Sequence, residues 1–152
     1  MKKIGLFPGS FDPFTKGHED VVNKSLEIFD EVIIGIGINS SKNYFFDLEK
    51  RISHIKSLFS NQQNVKVLTY QKLTVEFCKE IEAHFIIRGL RDSKDFEYEK
   101  SIAHMNLEIS DIQTIFLLTA QKYGAINSTI VREIVKNKGN IDAFVTNAHL
   151  LV

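Results

Sequence analysis

The sequence predicts an α/β fold built on a parallel sheet, and two observations carry that prediction. Five short runs rich in β-branched residues, Ile4–Phe7, Val32–Ile38, Val65–Tyr70, Phe85–Ile87 and Thr114–Leu118, are nearly continuously apolar, as strands covered on both faces are. Between them lie segments with apolar residues at helical spacing, so strand and helix alternate along the chain and right-handed crossovers join the strands.

Each element has its own warrant. Ile4–Phe7 reads as the first strand, followed by the stretch that opens with Pro8-Gly9. A helix pattern begins near Glu19, with Val22, Leu26 and Phe29 on one face. Val32–Ile38 is the second strand. Its Gly35-Ile36-Gly37 with Ser40 only imitates a dinucleotide fingerprint, because glycines inside a strand more often mark close packing. Asp47 is the expected N-cap of the second helix, whose buried face carries Leu48, Ile52, Ile55 and Phe59. Leu73–Ile81 gives a third helix, and Phe96–Ile109 a fourth with Phe96, Ala103 and Asn106 near one another in projection. Ser128–Val135 gives the fifth. The expectation is one domain over residues 1–152, a doubly wound, Rossmann-like five-stranded sheet of order 3-2-1-4-5. In that order the first and fourth strands are neighbours where the winding reverses, and ligands bind there, outside the carboxyl ends.

Composition narrows the function classes. The 152 residues are 43% hydrophobic and 25% charged, and 19 basic residues balance 19 acidic ones. A formal charge of zero supplies no global drive toward nucleic acid or a membrane surface, so neither is an expected partner. Cys78 is the single cysteine, which excludes an internal disulfide framework, and it reads as a small buried hydrophobe. No signal-peptide pattern opens the chain and no apolar run approaches the roughly 18 residues that a membrane span needs, so the expected location is cytoplasmic. His54, His84, His104 and His149 lack metal-ligand spacing, and no protein metal site is expected.

The chemistry concentrates in one loop. Both prolines fall in Pro8-Gly9-Ser10-Phe11-Asp12-Pro13-Phe14-Thr15-Lys16-Gly17-His18, between the first strand and the first helix. Pro8 and Pro13 restrict the backbone, while Gly9 and Gly17 permit close approach or positive φ. Gly17 and His18 lie at a helix start, where free N–H groups favour an anion. Arg88-Gly89-Leu90-Arg91 follows the fourth strand, so the fold brings a second polar cluster to the same crevice. Taken singly, each of these residues has a plainer reading: Ser128-Thr129 as a helix cap, Lys42 as a solvated charge, Arg88 and Arg91 as partners of Asp92, Asp95 or Glu99.

Pro8–Pro13 followed by Thr15-x-Gly17-His18 resembles the first signature of the nucleotidyltransferases that use His-x-Gly-His-type loops, with Thr in the first position. Arg88–Arg91, Asp95–Glu99, His104-Met105-Asn106 and Ile126-Asn127-Ser128-Thr129-x-Val131-Arg132 narrow the resemblance to the phosphopantetheine adenylyltransferase family. The resemblance implies attack of the 4′-phosphate of phosphopantetheine on the α-phosphorus of ATP, with Mg²⁺ bridging phosphate oxygens. It implies His18, Lys42 and Arg91 as catalytic residues. ATP would be met by Ser10, Phe11, His18, Gly89, Leu90, Arg91, Glu99 and the stretch Tyr123, Gly124, Ala125, Ile126, Asn127, Ser128 and Thr129. Ser10, Lys42, Thr74 and Arg88 would bind the acceptor, with Leu73 beside its pantetheine arm. It also implies a homohexamer and coenzyme A as a feedback ligand. Asn127 stands where the family commonly has Ser, and Ser10 where Thr is common. Two alternatives stay open: another nucleotidyltransferase with a cytidylyl or nicotinamide mononucleotide substrate, and a nucleotide- or coenzyme-A-sensing module without catalysis.

Overall fold

A computed structural model describes residues 1–152. Strands β1 (Ile4–Gly9), β2 (Glu31–Gly37), β3 (Val65–Tyr70), β4 (Phe85–Leu90) and β5 (Gln113–Leu118) alternate with helices α1 (Lys16–Ser25), α2 (Leu48–Leu58), α3 (Thr74–Glu80), α4 (Ser93–Ser110) and α5 (Ser128–Lys136). The five strands form one parallel sheet in the order β3-β2-β1-β4-β5, the order expected of the sequence. No helix is long and apolar enough to cross a membrane.

Alternation along the central strands feeds two apolar layers. Phe7, Val32, Ile34, Ile36 and Ile87 point to one face and pack on Val21, Val22, Ile55 and Phe59. Leu6, Ile33 and Ile86 point to the other, against Val75, Phe77 and Cys78. Cys78 is thus the buried hydrophobe expected, and burial pushes its thiol up to about 11. A Cβ on Gly35 would come within 2.7 Å of Leu6 Cδ1, so the glycine in β2 serves close packing.

Several elements differ from the pattern-based expectation. β4 continues three residues past its apolar run, through Arg88-Gly89-Leu90, because its register with β5 is maintained up to Leu90–Leu118. The first helix ends at Ser25, and Phe29 reaches the core from the turn beyond it. The fourth helix starts earlier, at Ser93, where Asp92 caps it by accepting from the Asp95 N–H at 2.9 Å. The two edge strands are only half covered, and α4 has no fully buried residue. A smaller cluster of Phe46, Val131, Ile141, Val145, Ala148 and Leu151 fastens the C-terminal segment to α5 and to the chain ahead of α2.

Candidate active site

The winding reverses between β1 and β4, and their pairing stops early. Only Gly5–Phe85 and Leu6–Ile86 are in register, whereas β1 and β2 pair at six positions. Beyond Leu6 the gap is bridged by a side chain: Arg88 Nη1 donates to the Pro8 carbonyl at 2.7 Å. Two cavities of about 330 and 460 Å³ flank this bridge and share Pro8, Gly9, Ser10, Arg88 and Glu99 as a common wall. The first cavity takes in His18, Gly89, Arg91, Tyr123, Asn127 and Ser128. The second takes in Asn39, Lys42, Tyr70, Thr74, Tyr98 and Asn106.

His18 sits in the first turn of α1, and its protonation state follows from its neighbours. The Thr15 N–H donates to Nδ1 at 2.9 Å, and the Thr15 hydroxyl lies 3.2 Å from the same nitrogen. The histidine takes the place of the Glu or Gln of a capping box, closing the helix start onto its own cap residue. Nδ1 is therefore an acceptor, and a neutral ring carries its proton on Nε2. Phe11 and Phe14 bring their ring centroids within 5.1 and 5.2 Å of the imidazole, and Phe7 within 6.1 Å. Burial among these rings, reinforced by the Arg88 and Arg91 charges, lowers its pKa to about 3. The ring is a neutral hydrogen-bond donor at any pH near neutrality.

The loop carrying Ser10 is held by its carbonyl groups. Pro8 O accepts from Arg88, Ser10 O from Arg51 Nη1 at 2.8 Å, Asp12 O from Arg132 Nη1 at 2.8 Å, and Pro13 O from the Ser128 hydroxyl at 2.9 Å. Asp12 anchors the loop a second way, its two carboxylate oxygens accepting from the Phe45 and Phe46 N–H groups, each at 2.8 Å. Phe11 adopts φ 50°, a left-handed conformation that a bulky side chain rarely takes, and its ring is locked against Phe7 and Phe14. Gly9 is a glycine for that reason: a Cβ there would lie 2.8 Å from the Phe11 ring. Neither Gly9 nor Gly17 uses positive φ, and close approach is what Gly9 provides.

Of the residues singled out from the sequence, Ser10, Phe11, His18, Gly89, Arg91, Glu99, Tyr123, Ile126, Asn127 and Ser128 border the first cavity. Lys42, Thr74 and Arg88 border the second, Ser10, Arg88 and Glu99 belonging to both. Leu90, Gly124, Ala125 and Thr129 border neither, and Leu73 projects outward, 60% exposed. The Thr129 hydroxyl accepts from Arg132 Nη2 at 3.2 Å, and its N–H is taken by Asn127 Oδ1 at 2.8 Å. Asn127, rather than the Ser-Thr pair, caps α5. Glu99 lies against Arg88 in a two-pronged pair, Nε to Oε2 at 2.9 Å and Nη2 to Oε1 at 2.6 Å. Arg91 is likewise paired with Asp95, whose carboxyl burial alone would raise but which the Arg91 hydrogen bonds hold below the usual range. Asp12, Arg51 and Arg132 were not given a role from the sequence, although Asp12 lies inside the first motif and Arg132 inside the last.

A profile of the cytidylyltransferase-like family matches residues 6–134. Phosphopantetheine adenylyltransferase from Flavobacterium psychrophilum is 49% identical over 148 residues, 97% of this chain and 97% of its own length. Its counterpart from Bacteroides thetaiotaomicron is 46% identical over 145 residues, 95% of each chain. The chain belongs to the phosphopantetheine adenylyltransferase family. A putative nicotinate-nucleotide adenylyltransferase from Vibrio parahaemolyticus superposes with a TM-score of 0.73 over 99% of this chain and 97% of that one, at 22% identity, a likeness of fold.

In this member of the phosphopantetheine adenylyltransferase family, no group of three His, Cys, Asp or Glu is placed to hold a metal ion. The carboxylates of Asp95 and Glu99 at the first cavity are engaged by arginines. These residues do not build a protein metal centre of the oxygen-rich kind that Mg²⁺ takes.

Proposed function

We propose that the chain transfers the adenylyl group of ATP to 4′-phosphopantetheine, giving dephospho-coenzyme A and pyrophosphate. The observation that carries this reading is the common wall: two cavities of a size for two substrates meet at Ser10 and Arg88, at the carboxyl ends of β1 and β4.

ATP occupies the first cavity and the acceptor the second, so the acceptor phosphate meets the α-phosphorus beside Ser10. One acceptor phosphate oxygen bonds to the α-phosphorus as the bond to the bridging oxygen of pyrophosphate breaks, and pyrophosphate leaves with that electron pair. The attacking phosphate is already anionic, so no protein nucleophile or base is required. The residues position the reactants and neutralise growing charge. His18 donates from Nε2 to the α-phosphate; its neutrality near pH 7 is supported by the surrounding rings and the engaged Nδ1. Arg88 clamps the acceptor phosphate with its fork, exchanging Glu99 for the ligand. Lys42, whose ammonium lies 3.5 Å from the Ser10 hydroxyl, supplies a second cation, and Arg91 a third. Gly89, Glu99, Tyr123, Ile126, Asn127 and Ser128 bound the nucleotide, and Thr74 the pantetheine arm. Mg²⁺ enters as the counter-ion of ATP.

A homohexamer in the cytoplasm, with coenzyme A as a feedback ligand, completes the proposal. Tyr98, Met105 and Ile109 on α4 and Leu118 on β5 are 57 to 73% exposed, and this supports burial against further copies.

The deciding experiment measures pyrophosphate release from ATP with 4′-phosphopantetheine and, in parallel, with nicotinamide mononucleotide and simple phosphomonoesters. Release dependent on phosphopantetheine is expected. Preference for a nucleotide acceptor, or no release with any acceptor, would overturn the reading.

A further inference from the structure

Arg51 borders neither cavity, and it is a charged side chain only 3% exposed. It rises from the first turn of α2 and joins two loops that flank the common wall. Nη1 donates to Ser10 O at 2.8 Å and Nε to Phe46 O at 3.0 Å, while the guanidinium lies 4.3 Å from the centroid of the Tyr44 ring. Tyr44 fixes the loop after β2 in turn, donating to Gly37 O at 3.3 Å and accepting from the Asn39 N–H at 3.0 Å. Lys42 lies 5.3 Å from the centroid of that same ring and reaches the Ser10 hydroxyl. A chain of contacts thus runs from Arg51 to both members of the Lys42–Ser10 pair.

We propose that Arg51 is a positioning residue for the transfer. By bridging the Ser10 and Phe46 carbonyls while stacking on Tyr44, it sets the Lys42 ammonium against Ser10 on the wall where the two substrates meet. The inference rests on the adenylyl-transfer reading above. A planar fork is what this task needs, since it satisfies two carbonyls on different segments and offers a flat face to a ring at once. An ammonium at the same position satisfies one carbonyl and stacks poorly, so the charge is kept but the spacing between the two loops is released. A displacement near 1 Å at reacting groups is enough to lower a rate by about 100-fold.

The test compares the unaltered chain, Arg51→Lys, Lys42→Ala and the double variant by steady-state kinetics with ATP and 4′-phosphopantetheine, alongside thermal unfolding. Arg51→Lys is expected to unfold cooperatively, to lose about 10- to 100-fold in kcat, and to keep its ATP KM within about twofold. In the Lys42→Ala background the same substitution should cost less than about threefold, because its effect passes through Lys42. Equal losses in both backgrounds, or an unchanged kcat in Arg51→Lys, would overturn the inference. If Arg51→Lys does not fold, Tyr44→Leu removes the ring between Arg51 and Lys42: a kcat loss that vanishes in Lys42→Ala supports the link, and a loss of the same size there overturns it. An unaltered chain that releases no pyrophosphate would overturn the reaction itself and this inference with it, an outcome distinct from a normal Arg51→Lys.

Discussion

The Thr15 N–H donates to His18 Nδ1 at 2.9 Å, so the cap of α1 and the tautomer of the candidate catalytic histidine are fixed by one hydrogen bond. With Nδ1 occupied, Nε2 is the ring nitrogen left to act as donor.

His18→Ala is expected to lower kcat by about 100- to 1,000-fold, the range for removing one donor from a developing anion, with a much smaller rise in the ATP KM. Because the ring's pKa is lowered to about 3, kcat should show no acid limb near pH 6.5 attributable to this histidine. A histidine limb near 6.5 that disappears in His18→Ala would contradict the assignment.

Arg88→Lys keeps the charge but loses the fork that holds both Glu99 and the Pro8 carbonyl. The acceptor KM should rise by about 10-fold, corresponding to about 1.4 kcal/mol, while the ATP KM changes little. Initial-rate measurements with each substrate varied in turn separate the two effects.

The helix start of α5 divides its roles among neighbours. Asn127 Oδ1 accepts from Thr129 N and Ile130 N, so Asn127→Ala should lower stability by about 1 kcal/mol, read from chemical denaturation. Ser128 borders the nucleotide cavity and Thr129 does not, so Ser128→Ala should weaken ATP binding more than Thr129→Ala does. Calorimetric titration with ATP checks the order.

Stability should fall as the solution is acidified. The folded-state pKa values of His18 and His54 lie below the ordinary histidine value, so below about pH 6.5 the unfolded chain binds more protons and is favoured. Glu31 and Asp95, held low by their lysine and arginine partners, act in the same direction: their contribution is present above the ordinary carboxylate range and is lost as pH falls through their lowered values. Tm should therefore drop between pH 7 and 5. His54→Gln, which can still donate to the Thr146 carbonyl that His54 Nε2 contacts at 2.7 Å, should flatten that slope. An unaltered slope would locate the effect elsewhere.

Strand positions and sheet order were legible because runs such as Val32–Ile38 carry their burial in their composition. The Arg88-Gly89-Leu90 end of β4 was not, since a strand that turns its side chains into a binding crevice loses its apolar signal where it becomes useful. His18, Ser10, Arg88 and Lys42 were legible as a set through motif order. Asp12, Arg51 and Arg132 were hidden for a physical reason: apart from the Phe46 carbonyl that Arg51 meets five positions away, their backbone partners lie 33 to 41 and 120 positions away, which no local spacing records. Asn127 was visible only as a change in a motif, although a residue of its type ahead of an apolar-periodic helix is a cap signal in its own right.

Phe7, Phe11 and Phe14 belong to the same cluster as the main core, and they are also the medium in which His18 resides. The packing of this protein and the acidity of its proposed donor are consequently one property rather than two. A substitution such as Phe14→Tyr, chosen by volume alone, would carry a dipole into that medium and retune the imidazole without touching either substrate. A change in this core therefore alters a proton affinity as well as a density.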